Sequence, residues 1–202
     1  MPTRRAVDVR QRSADQWLNE HVGHFLMEAG IAAGQAVLDF GCGRGTYTIP
    51  AARIVGNGGI VYALEQDKAK IDDLRATAKS AGLENIQIVP ATGRANTHLR
   101  DESVDVVLLY DVLHSWYHPQ SWQRKEILYE LYRVLRPDGL LSFYPGDPEV
   151  FGHYSELAAI QREIGQVQFR LLRKQATTLI HEGSVVEGRI FIFTKNWRYS
   201  HA

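Results

Sequence analysis

The chain has very little cysteine: Cys42 is the only one in 202 residues. No intramolecular disulfide framework can be built from it, which favours a reducing, cytoplasmic setting. An excess of charge of either sign is also missing. Lys plus Arg and Asp plus Glu are equal at 23 each, which argues against a nucleic-acid binder with a basic surface and leaves room for a protein partner. No stretch approaches the roughly 18 uncharged apolar residues that a membrane span requires. The opening MPTRRAVDVRQRS carries arginines but no apolar run, unlike a secretory signal. Repeats, low-complexity segments and Pro/Gly/Ser-rich linkers are absent as well. One domain over 13–202 is therefore expected, after a solvated tail at 1–12. A domain of this length buries roughly 70% of the surface its unfolded chain exposes, so it needs no disulfide or metal to hold it.

What is present is an alternation of short apolar runs with helical patterns. Ser13 is a plausible N-cap for a helix to Gly30, with Trp17, Val22, Phe25, Leu26 and Ala29 recurring on one face. Strands are expected at Ala36–Phe40, Ile60–Leu64, Ile86–Val89, Val104–Tyr110 and Leu140–Tyr144. Helices are expected between them at 46–55, 68–81 and 123–135, and a further one at 150–164. Arg136-Pro137-Asp138-Gly139 reads as a turn, because proline cannot continue a helix and Asp-Gly favours reversal. The remainder reads as a pair of strands, with His181-Glu182-Gly183-Ser184 supplying turn chemistry. Such an order implies an open, doubly wound α/β sheet with helices on both faces. Ligands in these sheets bind beyond the carboxyl ends of the strands, at the switch point beside the first one.

That point is Asp39-Phe40-Gly41-Cys42-Gly43-Arg44-Gly45-Thr46. Glycines at alternate positions, directly after a strand and before a helix, let a ligand approach the backbone closely. The spacing is not that of a dinucleotide fingerprint, which puts its third glycine where Thr46 stands. Asp39 is a poor neighbour for a diphosphate and suits an ammonium or sulfonium group. Glu65 closes the second strand 24 positions after Gly41, close to the roughly 20-residue interval of a ribose-binding acid. Asp67 is the better candidate to cap the following helix.

With these residues the chain resembles the class I S-adenosylmethionine-dependent methyltransferases. The first motif of that family, an acid followed by three alternate glycines, is matched by Asp39, Gly41, Gly43 and Gly45. Its acid at the end of the second strand is matched by Glu65, and its later Leu-Arg-Pro-Gly-Gly signature by Leu135-Arg136-Pro137-Asp138-Gly139. The resemblance implies a Rossmann-like sheet of seven strands, mostly parallel with an antiparallel last strand. It further implies S-adenosylmethionine as cofactor, S-adenosylhomocysteine as product and a small-molecule methyl acceptor. Cofactor contacts are then expected from Asp39, Gly41, Cys42, Gly43, Gly45, Glu65, Gln66, Gly93, Arg94, Asn96, Tyr110 and Asp111. The stretch after the third strand lacks the acid that often holds the adenine amino group, and Asn96 is an alternative acceptor there.

Methyl transfer from a sulfonium is an in-line displacement in which the protein chiefly positions the nucleophile. The loop after the fourth strand contains His114, the candidate general base because its ordinary pKa lies near neutrality. Trp116, Tyr117 and Trp122 either shape an acceptor pocket or anchor the next helix. Tyr144, Asp147 and His153 follow the fifth strand, yet with His114 and His118 they lack metal-ligand spacing, and no metal is expected. Cys42 reads as a small loop residue. The C-terminal segment 161–202 has seven Lys/Arg against three Glu, a bias usual for a solvated face. A nicotinamide-dependent oxidoreductase and a non-catalytic cofactor-binding module are the competing readings. Glu65→Ala is expected to weaken S-adenosylmethionine binding by more than about 1 kcal/mol through lost charged hydrogen bonds; unchanged affinity in a calorimetric titration removes Glu65 from the site.

Overall fold

The computed structural model describes residues 14–91, 95–114, 117–146, 154–181 and 183–196. Its strands are β1 (Ala36–Phe40), β2 (Ile60–Glu65), β3 (Ile86–Pro90), β4 (Val104–Tyr110), β5 (Leu135–Tyr144), β6 (Phe169–His181) and β7 (Ser184–Lys195). They form one sheet in the order β3-β2-β1-β4-β5-β7-β6. The first five pair in parallel, and β7 runs antiparallel to both β5 and β6. Because β7 is reversed, β6 points the same way as β1 to β5. The carboxyl ends of β1, β2, β4, β5 and β6 therefore share one edge of the sheet.

Alternation along the strands divides the core into two layers. Val106, Leu108 and Tyr110 of β4 pack on one face with Val37 and Val61. That face is covered by helical residues 14–20, α1 (Val22–Glu28) and α2 (Thr48–Val55), through Trp17, Phe25, Leu26 and Ala52. Val107 and Leu109 join Leu38, Phe143 and Phe191 on the other face. There α4 (Ser121–Val134) contributes Leu128 and Leu131, and α5 (Tyr154–Gln166) contributes Ile160 and Ile164. Helix α3 (Lys68–Ser80) packs Leu74 and Ala78 against Ala63. Its N-cap is Asp67, whose carboxylate accepts from the Ala69 N–H at 2.8 Å. Among the described residues no helix is long and apolar enough to cross a membrane.

Two expectations shift. Residues 136–139 do not form a separate turn between helix and strand; they lie inside β5 as an irregularity. Val104 pairs with Leu135 and Val106 with Leu140, so one residue of β4 faces four of β5. Pro137 has no N–H to give a ladder and is tolerated where the ladder is already broken. The first helix is also interrupted, by a turn at His21, rather than continuous to Gly30. The expected tail at 1–12 and the Ser13 cap lie outside the described residues.

One polar contact holds the second layer to the cleft loop. The Arg124 guanidinium of α4 donates Nε and NH2 to the two carboxylate oxygens of Glu163 in α5, both at 2.7 Å, and NH1 to the His118 carbonyl at 2.6 Å. Arg124 and Glu163 are both buried. Removing one partner strands a desolvated charge, which costs far more than the pair itself contributes. Glu163→Ala is expected to lower unfolding stability by about 3 kcal/mol in urea titrations, and Arg124→Met with Glu163→Leu to recover most of that loss.

Candidate active site

The loop after β1 is wrapped against the end of β2. The Gly41 and Cys42 N–H groups donate to the Leu64 carbonyl at 2.9 and 3.0 Å. The Gly43 N–H donates to Glu65 Oε2 at 3.0 Å, while Glu65 Oε1 accepts from the Gln66 and Asp67 N–H groups at 2.7 and 3.0 Å. The local path demands glycine for different reasons at two positions. At Gly45, φ is +92° and an added Cβ would lie 2.5 Å from Leu74 Cδ1, so the loop is pressed onto α3. At Gly43, φ is +56° but nothing lies within 4 Å of that Cβ position. A side chain there would occupy space at the mouth of the cleft.

Asp39 sits buried at the foot of this loop and accepts a 2.6 Å hydrogen bond from the Thr48 hydroxyl. Burial pushes its pKa up to about 6; the Thr48 bond opposes the shift and the Glu65 charge adds to it. Burial also pushes the Cys42 thiol up, with Asp39 and Glu65 acting in the same direction. A thiol held protonated in this way fits a loop residue and not a nucleophile.

Asp39, Cys42, Gly43 and Glu65 border one cleft of about 2070 Å³. A single small-ligand site typically holds roughly 300–1,000 Å³, so two ligands fit side by side. The structure brings Asp39, Gly41, Cys42, Gly43, Glu65, Gln66, Asn96, Tyr110 and Asp111 onto its wall. Gly45 instead packs beneath the loop, and Gly93 and Arg94 lie outside the described residues. The Asn96 side-chain oxygen accepts from the His98 N–H at 2.8 Å, which fixes the direction of its amide. The Tyr110 hydroxyl is 2.7 Å from the Ser142 hydroxyl. The far wall is aromatic. Tyr117, Trp122 and Tyr129 border the cleft and are each more than half exposed. Trp116, Asp147 and His153 lie outside the described residues.

His114 is 7% exposed and sits beside Asp111 instead of on the cleft wall, its Nε2 3.6 Å from Asp111 Oδ1. Burial lowers its pKa, against the raising influence of Glu156. The other Asp111 oxygen, Oδ2, is 3.4 Å from Nδ1 of His181, which does border the cleft. His181 ends β6 and lies 70 positions from Asp111. Its sequence neighbours signal only a turn. Tyr47 is the other group that sequence reasoning missed. Its hydroxyl donates to the Ile180 carbonyl and accepts from the Ile180 N–H, both at 2.9 Å, anchoring the β6–β7 hairpin beside the glycine loop.

Comparison with known proteins agrees with this geometry. A family model described as a methyltransferase domain matches residues 38–143, just over half of the chain. A ubiquinone/menaquinone biosynthesis C-methyltransferase from a Marinomonas species is 28% identical over 151 residues, covering 74% of this chain and 55% of that protein. A probable cobalt-precorrin-6B C(15)-methyltransferase (decarboxylating) from Saccharolobus solfataricus is 33% identical over 85 residues, 42% of this chain and 43% of that protein. The chain spans about half or less of the length of most curated relatives it matches. In fold it is similar to a SAM dependent methyltransferase from Aquifex aeolicus, with a TM-score of 0.68 at 21% identity over 89% of this chain and 91% of that one. The acid-led glycine loop at the switch point and the acid closing β2 both lie inside the matched stretch, the reversed seventh strand belongs to the fold shared with that structure, and the chain belongs to the methyltransferase domain family, with the fold of its class I S-adenosylmethionine-dependent members.

Proposed function

We propose that this chain is an S-adenosylmethionine-dependent methyltransferase that transfers a methyl group in line to a small-molecule acceptor in the cytoplasm. The observation that carries the reading is the convergence of Asp39, the open Gly43 position and Glu65 on one cleft large enough for two ligands. The residues fit the cofactor. A buried acid beneath the loop suits its cationic end, and the Glu65 carboxylate at the mouth suits ribose hydroxyls. When bound, the cofactor supplies an already activated sulfonium methyl. The chain's own contribution is to hold both ligands in line and to exclude water between them. The relatives named for cobalt-precorrin-6B and for ubiquinone/menaquinone support an organic small molecule as acceptor. The equal counts of basic and acidic residues support the same choice over nucleic acid.

Parallel calorimetric titrations with S-adenosylmethionine, S-adenosylhomocysteine and NAD test the cofactor. Binding of the first two without the third is expected; binding of NAD alone overturns the reading, and no binding of any of them points to a non-catalytic role. Asp39 adds a pH test. Its pKa of about 6 is raised by burial, so its ionised form opposes folding. The stability this gives is full below the ordinary carboxylate range and is lost as pH rises through about 6. A cationic ligand has the opposite preference, because it binds the ionised form. Affinity for S-adenosylmethionine is expected to fall as pH drops below about 6. In Asp39→Asn that inflection is expected to vanish, with affinity at pH 8 about tenfold weaker; an unaltered pH profile removes Asp39 from cofactor binding.

A further inference from the structure

The β6–β7 hairpin overhangs the cleft. Residues of β7 from Leu140's partner Thr194 back to Phe191 pair with β5, whereas Ser184 to Ile190 pair only with β6 among the described residues. The hairpin thus runs on past the end of β5 and curls towards the switch point. The double hydrogen bond from Tyr47 to Ile180 fixes how far it curls, and Trp17 Nε1 secures the same strand through the Thr178 hydroxyl at 3.1 Å. Held in this way, His181 presents its ring to the cleft wall beside Asp111 and against the edge of Tyr144, with ring centroids 6.2 Å apart.

Asp111 is the second half of the arrangement. Its φ of +58° is unusual for a residue with a side chain, and its N–H is tied to the Tyr144 carbonyl at 2.9 Å. Strained backbone of this kind persists only where the surroundings over-determine it, and it concentrates at functional sites. Here it aims the two carboxylate oxygens at two imidazoles, Oδ1 at His114 and Oδ2 at His181. Only His181 of that pair borders the cleft. With Nδ1 turned to the carboxylate, Nε2 is the nitrogen that addresses a ligand. A carboxylate behind an imidazole sets its tautomer and stabilises the imidazolium once a proton has been taken. A 3.4 Å separation lies within reach of a catalytic hydrogen bond, a class of contact that is often long outside the Michaelis complex. The remaining groups that act around this cluster are His118, Glu156 and Tyr144.

We infer that His181 is the general base of this site, oriented by Asp111, and that the acceptor is a phenol-like molecule whose hydroxyl it ionises. The inference rests on the methyltransferase reading and adds the acceptor class and the base to it. The aromatic wall of Tyr117, Trp122 and Tyr129 offers flat, exposed surface to a ring. In the step, the acceptor O–H bond breaks and its proton passes to His181 Nε2. The oxygen's electron pair forms the new O–CH3 bond, the S–CH3 bond breaks with its pair remaining on sulfur, and the proton leaves the imidazolium to solvent. His114 stands on the other side of Asp111, buried and off the cleft wall.

Ionisation is measured directly with 4-nitrophenol, whose anion absorbs visible light, on protein saturated with S-adenosylhomocysteine. The pH is set where the free probe is mainly neutral. Bound probe is expected to appear as the anion. The bound anion is expected to fall about tenfold in His181→Ala and in His181→Asn, with S-adenosylhomocysteine affinity unchanged by calorimetry. His114→Ala is expected to retain most of the signal. Probe that stays neutral or unbound on cofactor-loaded protein, an equal signal in the His181 variants, or a loss confined to His114→Ala each overturns the inference while leaving the methyltransferase reading intact. Failure of S-adenosylhomocysteine to bind at all removes that reading, and the inference with it.

Discussion

A single tyrosine hydroxyl holds the two ends of this site together. Tyr47 leaves the glycine loop one residue before α2 and both gives and accepts a hydrogen bond at Ile180. Its ring meets Tyr110 edge-on at 5.1 Å, so the end of β4 is included in the same contact. The residues joined are 133 positions apart. Together with the Trp17 bond to Thr178, the Tyr47 contact fixes the distance of the β6–β7 overhang from the glycine loop and so brings His181 beside Asp111. Burial of the pair matters, because a hydrogen bond inside the core leaves an unsatisfied group behind when it is broken.

Charge inside the cleft is arranged in the same economical way. Asp39 lies under the loop, Glu65 at its mouth and Asp111 across from both, and all three border the cavity. Asp39 and Glu65 repel one another, and the Asp39 pKa, pushed up mainly by burial, is raised further by the Glu65 charge. Such a pocket is primed for a ligand with positive charge and unfavourable for a diphosphate. The polar partners already present, Thr48 on Asp39 and the Gly43 N–H on Glu65, keep the carboxylates oriented for that ligand.

The second core layer supports the aromatic wall of the cleft. Arg124 bonds to Glu163 and to the His118 carbonyl, which ties α4, α5 and the loop after β4 to one another. This explains why Trp122 and Tyr129, on exposed turns of α4, keep their place along the cleft while carrying little packing of their own.

Local chemistry in the sequence decided the sheet's first five strands, the Asp67 cap and the glycine loop, because each depends on residues a few positions apart: apolar runs, a capping carboxylate, glycines where φ must be positive. The four residues Arg136 to Gly139 were legible as a break but not as an irregularity inside β5, since only pairing with β4 distinguishes a turn from extra residues in a strand. His114 stood out because it follows β4 in a short loop, whereas His181 had the look of an ordinary turn residue. Tertiary structure alone decided which of them borders the cleft. The physical reason is register: how far β7 slides past β5 fixes the length of the overhang, and nothing in the order of residues near His181 specifies that distance until Tyr47 has bonded to its neighbour.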